Sequence, residues 1–235
     1  MSQDAVSISV IMPAYNEGPN VEQALTKTRD TFESIGSEYE IIIIDDCSVD
    51  ETGDLTESFA NKYPEISCYR NETNLGAGGA FKKGIEHAKK DYVIFVPFDN
   101  PITSDDLRAY LPRMGICDII VGVRVERVGY SPFSRFASFV YNRIFIPCLF
   151  NIGVSDVNWI SAYRRNLFAD KIIDFRPSRI FFLVEILIIA RRKQLIVVEV
   201  PSRMIKRAHG KSSSSRIGVM WETFWDMWRF FAKSR

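Results

Sequence analysis

The chain has 235 residues, 46% of them hydrophobic and 25% charged, a globular composition that excludes a long disordered polymer and suits one large domain better than two small ones. Lysine and arginine number 30 against 29 acidic residues, a formal net charge of +1, so no whole-molecule field points to nucleic acid as a partner. Cys47, Cys68, Cys117 and Cys148 are widely spaced and form no C-x-x-C pair, which leaves no zinc or redox motif and predicts free thiols in a reducing compartment.

In chain order, a polar start leads directly into an apolar run at residues 6–12, without the basic and long apolar segments of a secretory signal. Cytoplasmic residence is expected. Residues 6–12 and 39–45 are β-rich runs that stop abruptly at polar or turn-forming residues and read as buried parallel strands. Between them, residues 20–35 carry Val21, Leu25, Thr28 and Phe32 at helical spacing. A second helix is predicted over 50–63, capped by Asp50, with Leu55, Phe59 and Ala60 repeating helically, and a third strand over 66–70. Gly76, Gly78 and Gly79 lead into a helix over 80–89, followed by a strand over 92–96 that ends at Pro97-Phe98-Asp99-Asn100.

This βα alternation predicts an α/β fold with a doubly wound, mostly parallel sheet flanked by helices. Such sheets bind ligands at the carboxyl ends of their strands, and here those ends carry Tyr15-Asn16-Glu17, Asp45-Asp46 and Asp99-Asn100. The second half is less regular. A strand is predicted over 118–122, helical tendency over the aromatic, arginine-punctuated stretch 132–152, a buried helix over 180–192, a strand over 195–200 ending at Pro201, and an amphipathic helix over 218–233. The longest apolar run, 180–190, contains Glu185 and is about half of the ~20 residues a bilayer crossing requires, so no span is expected.

Carboxylates gathered at strand ends, without metal-spaced histidines, suit Mg²⁺ or Mn²⁺ shared with substrate phosphates and so point to a nucleotide substrate. There is no G-x-x-x-x-G-K-[ST], and the glycines within residues 74–80 are out of register for G-x-G-x-x-G. A P-loop and a dinucleotide fold are both disfavoured.

Five ordered motifs carry a resemblance. They are Val10-Ile-Met-Pro-Ala-Tyr-Asn-Glu17, Ile44-Asp-Asp-Cys-Ser-Val-Asp-Glu-Thr52, Asn74-Leu-Gly76, Asp156 before Ser161-Ala-Tyr-Arg-Arg165, and Glu199-Val-Pro201 followed by Arg207-Ala-His-Gly-Lys-Ser212. With these the chain resembles, almost end to end, family 2 of the inverting glycosyltransferases, especially the dolichol-phosphate mannose synthase and polyprenyl-phosphate glycosyltransferase group. The resemblance implies a GT-A type fold in one domain over 1–235, with a nucleotide-sugar-binding half at 1–122, an acceptor-side half at 123–216 and a C-terminal amphipathic helix at 217–235.

It further implies donor-binding roles for Pro13, Tyr15, Glu17, Asp45, Asp46, Asn74, Gly76, Arg207 and Lys211. Carboxylates there would accept hydrogen bonds from base N–H and ribose hydroxyls; a helix cap or turn residue is the alternative for Asp46, and a packed aromatic suits Tyr15 equally well. Where the family has Asp-x-Asp, this chain has Pro97-Phe98-Asp99. Asp99 keeps the place of the direct metal ligand and is the expected catalytic metal site, with a turn aspartate as the alternative. Arg124 and Arg135 are expected to read an acceptor phosphate, since guanidinium is permanently charged and often bidentate. Asp156 is the second expected catalytic residue, required as a base for a hydroxyl acceptor and less so for an ionised phosphate. The family's Thr-Ser-Gly triplet is replaced by Asn158-Trp159-Ile160, which implies a differently shaped acceptor pocket. His209 and Glu185 are secondary candidates.

The activity so implied is transfer of one sugar from a nucleoside diphosphate sugar to a polyprenyl phosphate lipid at the cytoplasmic membrane face, by peripheral attachment or through a membrane partner protein. The alternatives are transfer to a hydroxyl of a lipid-linked or polysaccharide glycan, and a non-catalytic nucleotide-sugar-binding protein. Trp221, Phe224, Trp225, Trp228 and Phe231 recur at spacings of three and four beside Arg216, Arg229, Lys233 and Arg235, a pattern that fits either an interfacial helix or one packed on the sheet.

Overall fold

The computed structural model describes residues 6–126, 128, 132–150, 152–178, 181–204, Met227 and Phe230. Seven strands form one sheet in the order β3-β2-β1-β4-β6-β5-β7. They are β1 (Ile8–Ala14), β2 (Tyr39–Asp45), β3 (Ile66–Arg70), β4 (Tyr92–Phe95), β5 (Ile119–Arg124), β6 (Ser161–Arg164) and β7 (Val197–Ser202). β1 pairs in parallel with β2 and β4, β2 with β3, and β5 with β7, whereas β6 runs antiparallel to both β4 and β5. The mostly parallel α/β sheet expected from the sequence is therefore present, with one reversed strand in its middle.

The strands read as continuous apolar runs because both faces are covered. Along β2, Ile41 and Ile43 enter one core with Ile8, Val10 and Met12 of β1, while Ile42 and Ile44 enter the other with Ile11. Helices α1 (Gly18–Ile35), α2 (Thr52–Lys62) and α4 (Ser104–Tyr110) cover the first face. The second carries α3 (Gly76–His87) and α8 (Phe181–Arg192), the latter burying nine of its twelve residues. Fully burying side chains of this kind stabilises by about 1.5–3 kcal/mol each, which is why α8 keeps its place despite Glu185.

Several boundaries differ from the sequence reading, each for a physical reason. β1 continues through Pro13, because its pairing with β4 ends at Ile11↔Phe95 and no ladder donor is needed beyond it. α3 starts at Gly76, so the glycines form its first turn instead of preceding it. β7 continues through Pro201 because it is an edge strand, paired only with β5. Asp50 accepts from the backbone N–H of Thr52 at 3.0 Å, while the residue preceding α2 is Glu51. The stretch 132–150 is helical throughout: α5 (Pro132–Val140), a π-helical turn (Tyr141–Phe145) and α6 (Ile146–Phe150).

A four-residue helix, α7 (Asn166–Ala169), follows β6. The expected C-terminal helix falls outside the described residues except at Met227 and Phe230. Both are helical and buried. The Phe230 ring packs 5.7 Å from Phe181 and 6.1 Å from Phe150, with the Arg192 guanidinium 5.4 Å from its centre.

Candidate active site

The parallel strands place their carboxyl ends on one edge. Ala14, Asp45 and Arg70 stand level across β1, β2 and β3, and the ladder continues one step with Asp46 N–H to Ala14 C=O and Asn71 N–H to Asp45 C=O, both 2.8 Å.

Above this edge the loops after β1 and β2 hold each other. Asn16, at φ 54°, donates its N–H to Ser48 Oγ at 3.0 Å and accepts from Val49 N–H at 2.9 Å. Glu17 N–H donates to Thr52 Oγ1 at 2.8 Å, and Gly18 N–H donates to Asp50 Oδ2 at 3.2 Å. Partial desolvation alone would raise the carboxyl of Asp50, an exposed residue, but the hydrogen bonds from Thr52 and Gly18 outweigh it and hold the group below the ordinary aspartate value.

Asp46 is buried and closes the next junction. Its Oδ1 accepts from Asn71 Nδ2 and Leu75 N–H, both 2.8 Å, and its Oδ2 accepts from Gly76 N–H at 2.7 Å. The carboxylate thus satisfies donors at the start of α3, where negative charge is favoured by the helix dipole. Gly76 holds φ 74°, the left-handed region open to glycine, and Asn74 Oδ1 also accepts its N–H at 3.1 Å. Both readings of Asp46 remain relevant: it lies at the strand edge, and it caps the helix.

Asp45 is fully buried. Its Oδ1 accepts from Ser48 N–H at 3.0 Å, whereas Oδ2 has no hydrogen-bond partner and lies 3.5 Å from Arg70 Nη1. Arg70 was not singled out in the sequence, though the strand-end rule that named Asp45 would have found it at the last position of β3. Tyr15 is half exposed, Pro13 and Glu17 are partly buried, and Glu17 Oε2 accepts from Asn20 Nδ2 at 2.7 Å.

Asp99 sits in the turn after β4, partly buried on the same edge. No group of three or more His, Cys, Asp or Glu side chains is assembled for a metal among the described residues. One carboxylate suits an ion such as Mg²⁺ or Mn²⁺, which is commonly held by one or two carboxylates and completed by substrate phosphates and water.

On the other half of the edge, β6 begins where β5 ends because the two run antiparallel. This brings Asp156 to Arg124. Arg124 Nε and Nη2 each donate to one Asp156 oxygen at 2.7 Å, with side chains only 6% and 1% exposed. The guanidinium also stacks 4.8 Å from the Trp159 ring centre, and Trp159 Nε1 donates to Ser202 Oγ at 2.6 Å. Trp159 fits because position 122 is glycine: a Cβ there would lie 3.0 Å from the indole and 2.2 Å from the Tyr110 hydroxyl. Arg135 is on α5 and exposed. Arg207, His209 and Lys211 lie outside the described residues.

The sequence profile described as glycosyl transferase family 2 matches residues 9–172. Among curated proteins, the chain is 29% identical over 206 residues to glycosyltransferase AglD of Haloferax volcanii, covering 83% of this chain and 32% of that protein. It is 26% identical over 221 residues to dolichyl-phosphate beta-glucosyltransferase ALG5C of Trichomonas vaginalis, covering 85% and 64%. The chain therefore spans less than two thirds of either relative.

Among solved structures, the fold matches glucosyl-3-phosphoglycerate synthase from Mycobacterium tuberculosis in complex with Mn²⁺, UDP and glucosyl-3-phosphoglycerate, with TM-score 0.70, 19% identity and coverage of 96% and 80%. It also matches the mannosyltransferase PcManGT from Pyrobaculum calidifontis in complex with GDP-Man and Mn²⁺, with TM-score 0.68, 16% identity and coverage of 97% and 65%. At these identities the two structures establish the GT-A fold alone.

Proposed function

The chain belongs to glycosyl transferase family 2, and from that premise we propose that it moves one sugar from a nucleoside diphosphate sugar to a polyprenyl phosphate, inverting the anomeric carbon. The observation that carries the choice of acceptor is the Arg124–Asp156 pair. A hydroxyl acceptor needs a carboxylate to take its proton, and the Asp156 oxygens are each engaged by Arg124 at 2.7 Å. A phosphate acceptor brings an already ionised oxygen. The dolichyl-phosphate relative, at 26% identity, supports the same class.

In this reading the edge formed by Pro13, Tyr15, Glu17, Asp45, Asp46, Asn74 and Gly76 holds the base and ribose, and the cationic side chains of Arg207 and Lys211 neutralise the diphosphate charge. Asp99 would hold the divalent cation, Mg²⁺ or Mn²⁺, whose positive charge stabilises the departing diphosphate. The acceptor phosphate oxygen attacks the anomeric carbon from the side opposite the diphosphate, and exposed Arg135 on α5 steers the acceptor's charge. Arg124, locked to Asp156, shapes the floor of that acceptor pocket.

No described helix is long and apolar enough to cross a membrane. The acceptor lipid is met by peripheral attachment at the cytoplasmic face. Phe136, Phe139 and Ile144 support this, being 65%, 56% and 48% exposed beside Arg135 on the 132–150 helical stretch, a composition suited to the headgroup boundary.

The test is incubation of the protein with nucleoside diphosphate sugars, polyprenyl phosphate and Mn²⁺, followed by product analysis. An acid-labile lipid-linked sugar phosphate of inverted configuration supports the reading. Transfer only to glycan hydroxyls overturns it.

A further inference from the structure

We infer that Asn142 and Glu199 are positioning residues for the acceptor: each holds one end of the tripeptide Ser155-Asp156-Val157, and together they fix the Arg124–Asp156 pair against the helical stretch that carries Arg135. The inference rests on the acceptor reading above and goes beyond it by giving two residues outside the proposed substrate contacts a measurable role in acceptor use.

Residues 152–160 form neither helix nor strand, yet Asp156 and Val157 are buried. Backbone groups in such a segment have no ladder and no water to satisfy them, so side chains must do it. Three consecutive residues are met here by three different elements. Ser155 donates its N–H to Glu199 Oε1 and its hydroxyl to Glu199 Oε2, the latter at 3.1 Å. Asp156 receives the two 2.7 Å bonds from Arg124. Val157 donates its N–H to Asn142 Oδ1 at 3.1 Å.

Asn142 is buried and uses both ends of its amide. Nδ2 donates to the C=O of Ser138, one turn back on α5, at 2.8 Å. The chemistry of the partners sets the orientation of the amide, because a backbone carbonyl calls for its NH₂ and a backbone N–H for its oxygen. Asn142 also stands in the π-helical turn, where Ile146 N–H reaches back to Tyr141 C=O, and such turns inside α-helices recur at functional positions. Its side chain thus ties the helix bearing Arg135, Phe136 and Phe139 to the residue that follows Asp156.

Glu199 lies on β7, beside the strand that carries Arg124: its register partner on β5 is Val121, and Arg124 is level with Ser202. The strands β5 and β7 and the 132–150 helical stretch therefore meet at residues 155–157. Loss of either contact releases one end of the tripeptide, and a displacement of about 1 Å near reacting groups is enough to cost up to about a hundredfold in rate.

Steady-state kinetics of the full chain test this, with polyprenyl phosphate as acceptor and UDP-glucose or GDP-mannose with Mn²⁺ as donor. Glu199 is exposed, so its replacement should leave the fold intact, with an unchanged urea unfolding midpoint. Glu199→Ala is expected to raise the acceptor KM about tenfold, the scale of losing hydrogen bonds to a charged group, while the donor KM and calorimetric binding of UDP or GDP stay unchanged. Glu199→Gln keeps one accepting oxygen for Ser155 and should recover part of the loss. Asn142→Ala should show the same acceptor-specific rise. Because both residues act through one tripeptide, the double variant should raise the acceptor KM by less than the product of the two single effects. If the buried Asn142 variant fails to fold, the Ala and Gln variants of Glu199 decide the matter.

An unchanged acceptor KM in Glu199→Ala overturns the inference, as does an equal loss of donor affinity, which would mark a general effect on the fold. Strictly multiplicative effects of folded Asn142→Ala and Glu199→Ala overturn it too, and in each of these cases the acceptor reading stands. If the parent transfers sugar to no polyprenyl phosphate, that broader reading falls, and this inference falls with it.

Discussion

Arg124 and Asp156 are joined by two 2.7 Å hydrogen bonds, one to each carboxylate oxygen, although 31 residues of chain separate them and both side chains are almost wholly buried. The pair exists because an antiparallel β6 starts where β5 stops. Trp159, anchored by Ser202, lies against the guanidinium.

Removing one partner breaks a bidentate pair between side chains that are almost wholly buried, and breaking a buried pair typically costs about 3–5 kcal/mol. Asp156→Ala is therefore expected to lower unfolding stability by about that amount, measured by urea denaturation. The double variant Arg124→Met/Asp156→Leu should recover much of the loss. Arg135→Ala, at an exposed position, should leave stability within about 0.5 kcal/mol and raise the acceptor concentration needed for half-maximal transfer. A matching loss of donor affinity would instead put Arg135 on the diphosphate.

Asp99 sits in the turn after β4, the third carboxylate-bearing strand exit on the edge. Asp99→Asn is expected to reduce transfer by about a hundredfold or more, the scale of losing a charge-stabilising group at the leaving atom, while circular dichroism stays native. Turnover near normal across a Mn²⁺ titration would remove Asp99 from the metal role.

Gly122→Ala probes the packing beneath the proposed acceptor pocket. The new Cβ would meet the Tyr110 hydroxyl at 2.2 Å, Ile160 C=O at 2.8 Å and Trp159 at 3.0 Å, and overpacking of this kind typically costs about 1–3 kcal/mol. Because Trp159 supports Arg124, acceptor affinity should fall more than donor affinity. A thermal unfolding shift with unchanged acceptor kinetics would show that the Trp159 contact does not reach the pocket.

The sequence made the first half readable because its signals are local. Apolar runs such as 39–45 and the helical repeat of Val21, Leu25 and Phe32 depend on near neighbours, and strand-end logic then collected Asp45, Asp46 and Asp99 without distant contacts. The second half depends on what the chain meets far away. β6 is four residues long and half polar in appearance, so Ser161–Arg164 carries no period. Pro201 signals a strand end in sequence, yet lies inside an edge strand. Trp159, Ser202, Tyr110 and Gly122 form one packed unit drawn from four separated segments, and nothing in their spacing announces it. Arg70 was legible and overlooked, since it ends β3 as Asp45 ends β2.

Acid should loosen the donor loops before the cores. Asp50 binds Gly18 and Thr52, and these bonds hold its carboxyl below the ordinary aspartate value despite partial desolvation. A depressed folded-state value means the stabilisation is fully present above the unfolded-state value and is lost as pH falls through the folded one. Hydrogen exchange of the Gly18 and Thr52 amides is expected to accelerate selectively in that acidic window, and Asp50→Asn should flatten the dependence. Uniform acceleration across the sheet would assign the acid response to other carboxylates.

Membrane attachment is tested best on residues whose side chains are described. Phe136, Phe139 and Ile144 are exposed on the 132–150 stretch, whereas Met227 and Phe230 are buried against the body of the protein. Trp221, Phe224, Trp225, Trp228 and Phe231 lie outside the described residues. Deleting 217–235 would uncover the apolar surface under Phe230 and confuse lipid binding with unfolding. The combined variant Phe136→Ser/Phe139→Ser avoids this, because exposed positions contribute little to stability. Inserting two aromatic rings into the headgroup boundary contributes in proportion to the apolar area buried there. The variant is therefore expected to lose about tenfold or more in co-sedimentation with anionic vesicles, since 1.4 kcal/mol corresponds to a factor of ten, while calorimetric binding of the nucleotide stays unchanged. Equal sedimentation of variant and parent would move the lipid contact away from α5, and no sedimentation by the parent would leave a membrane partner protein as the route to the acceptor.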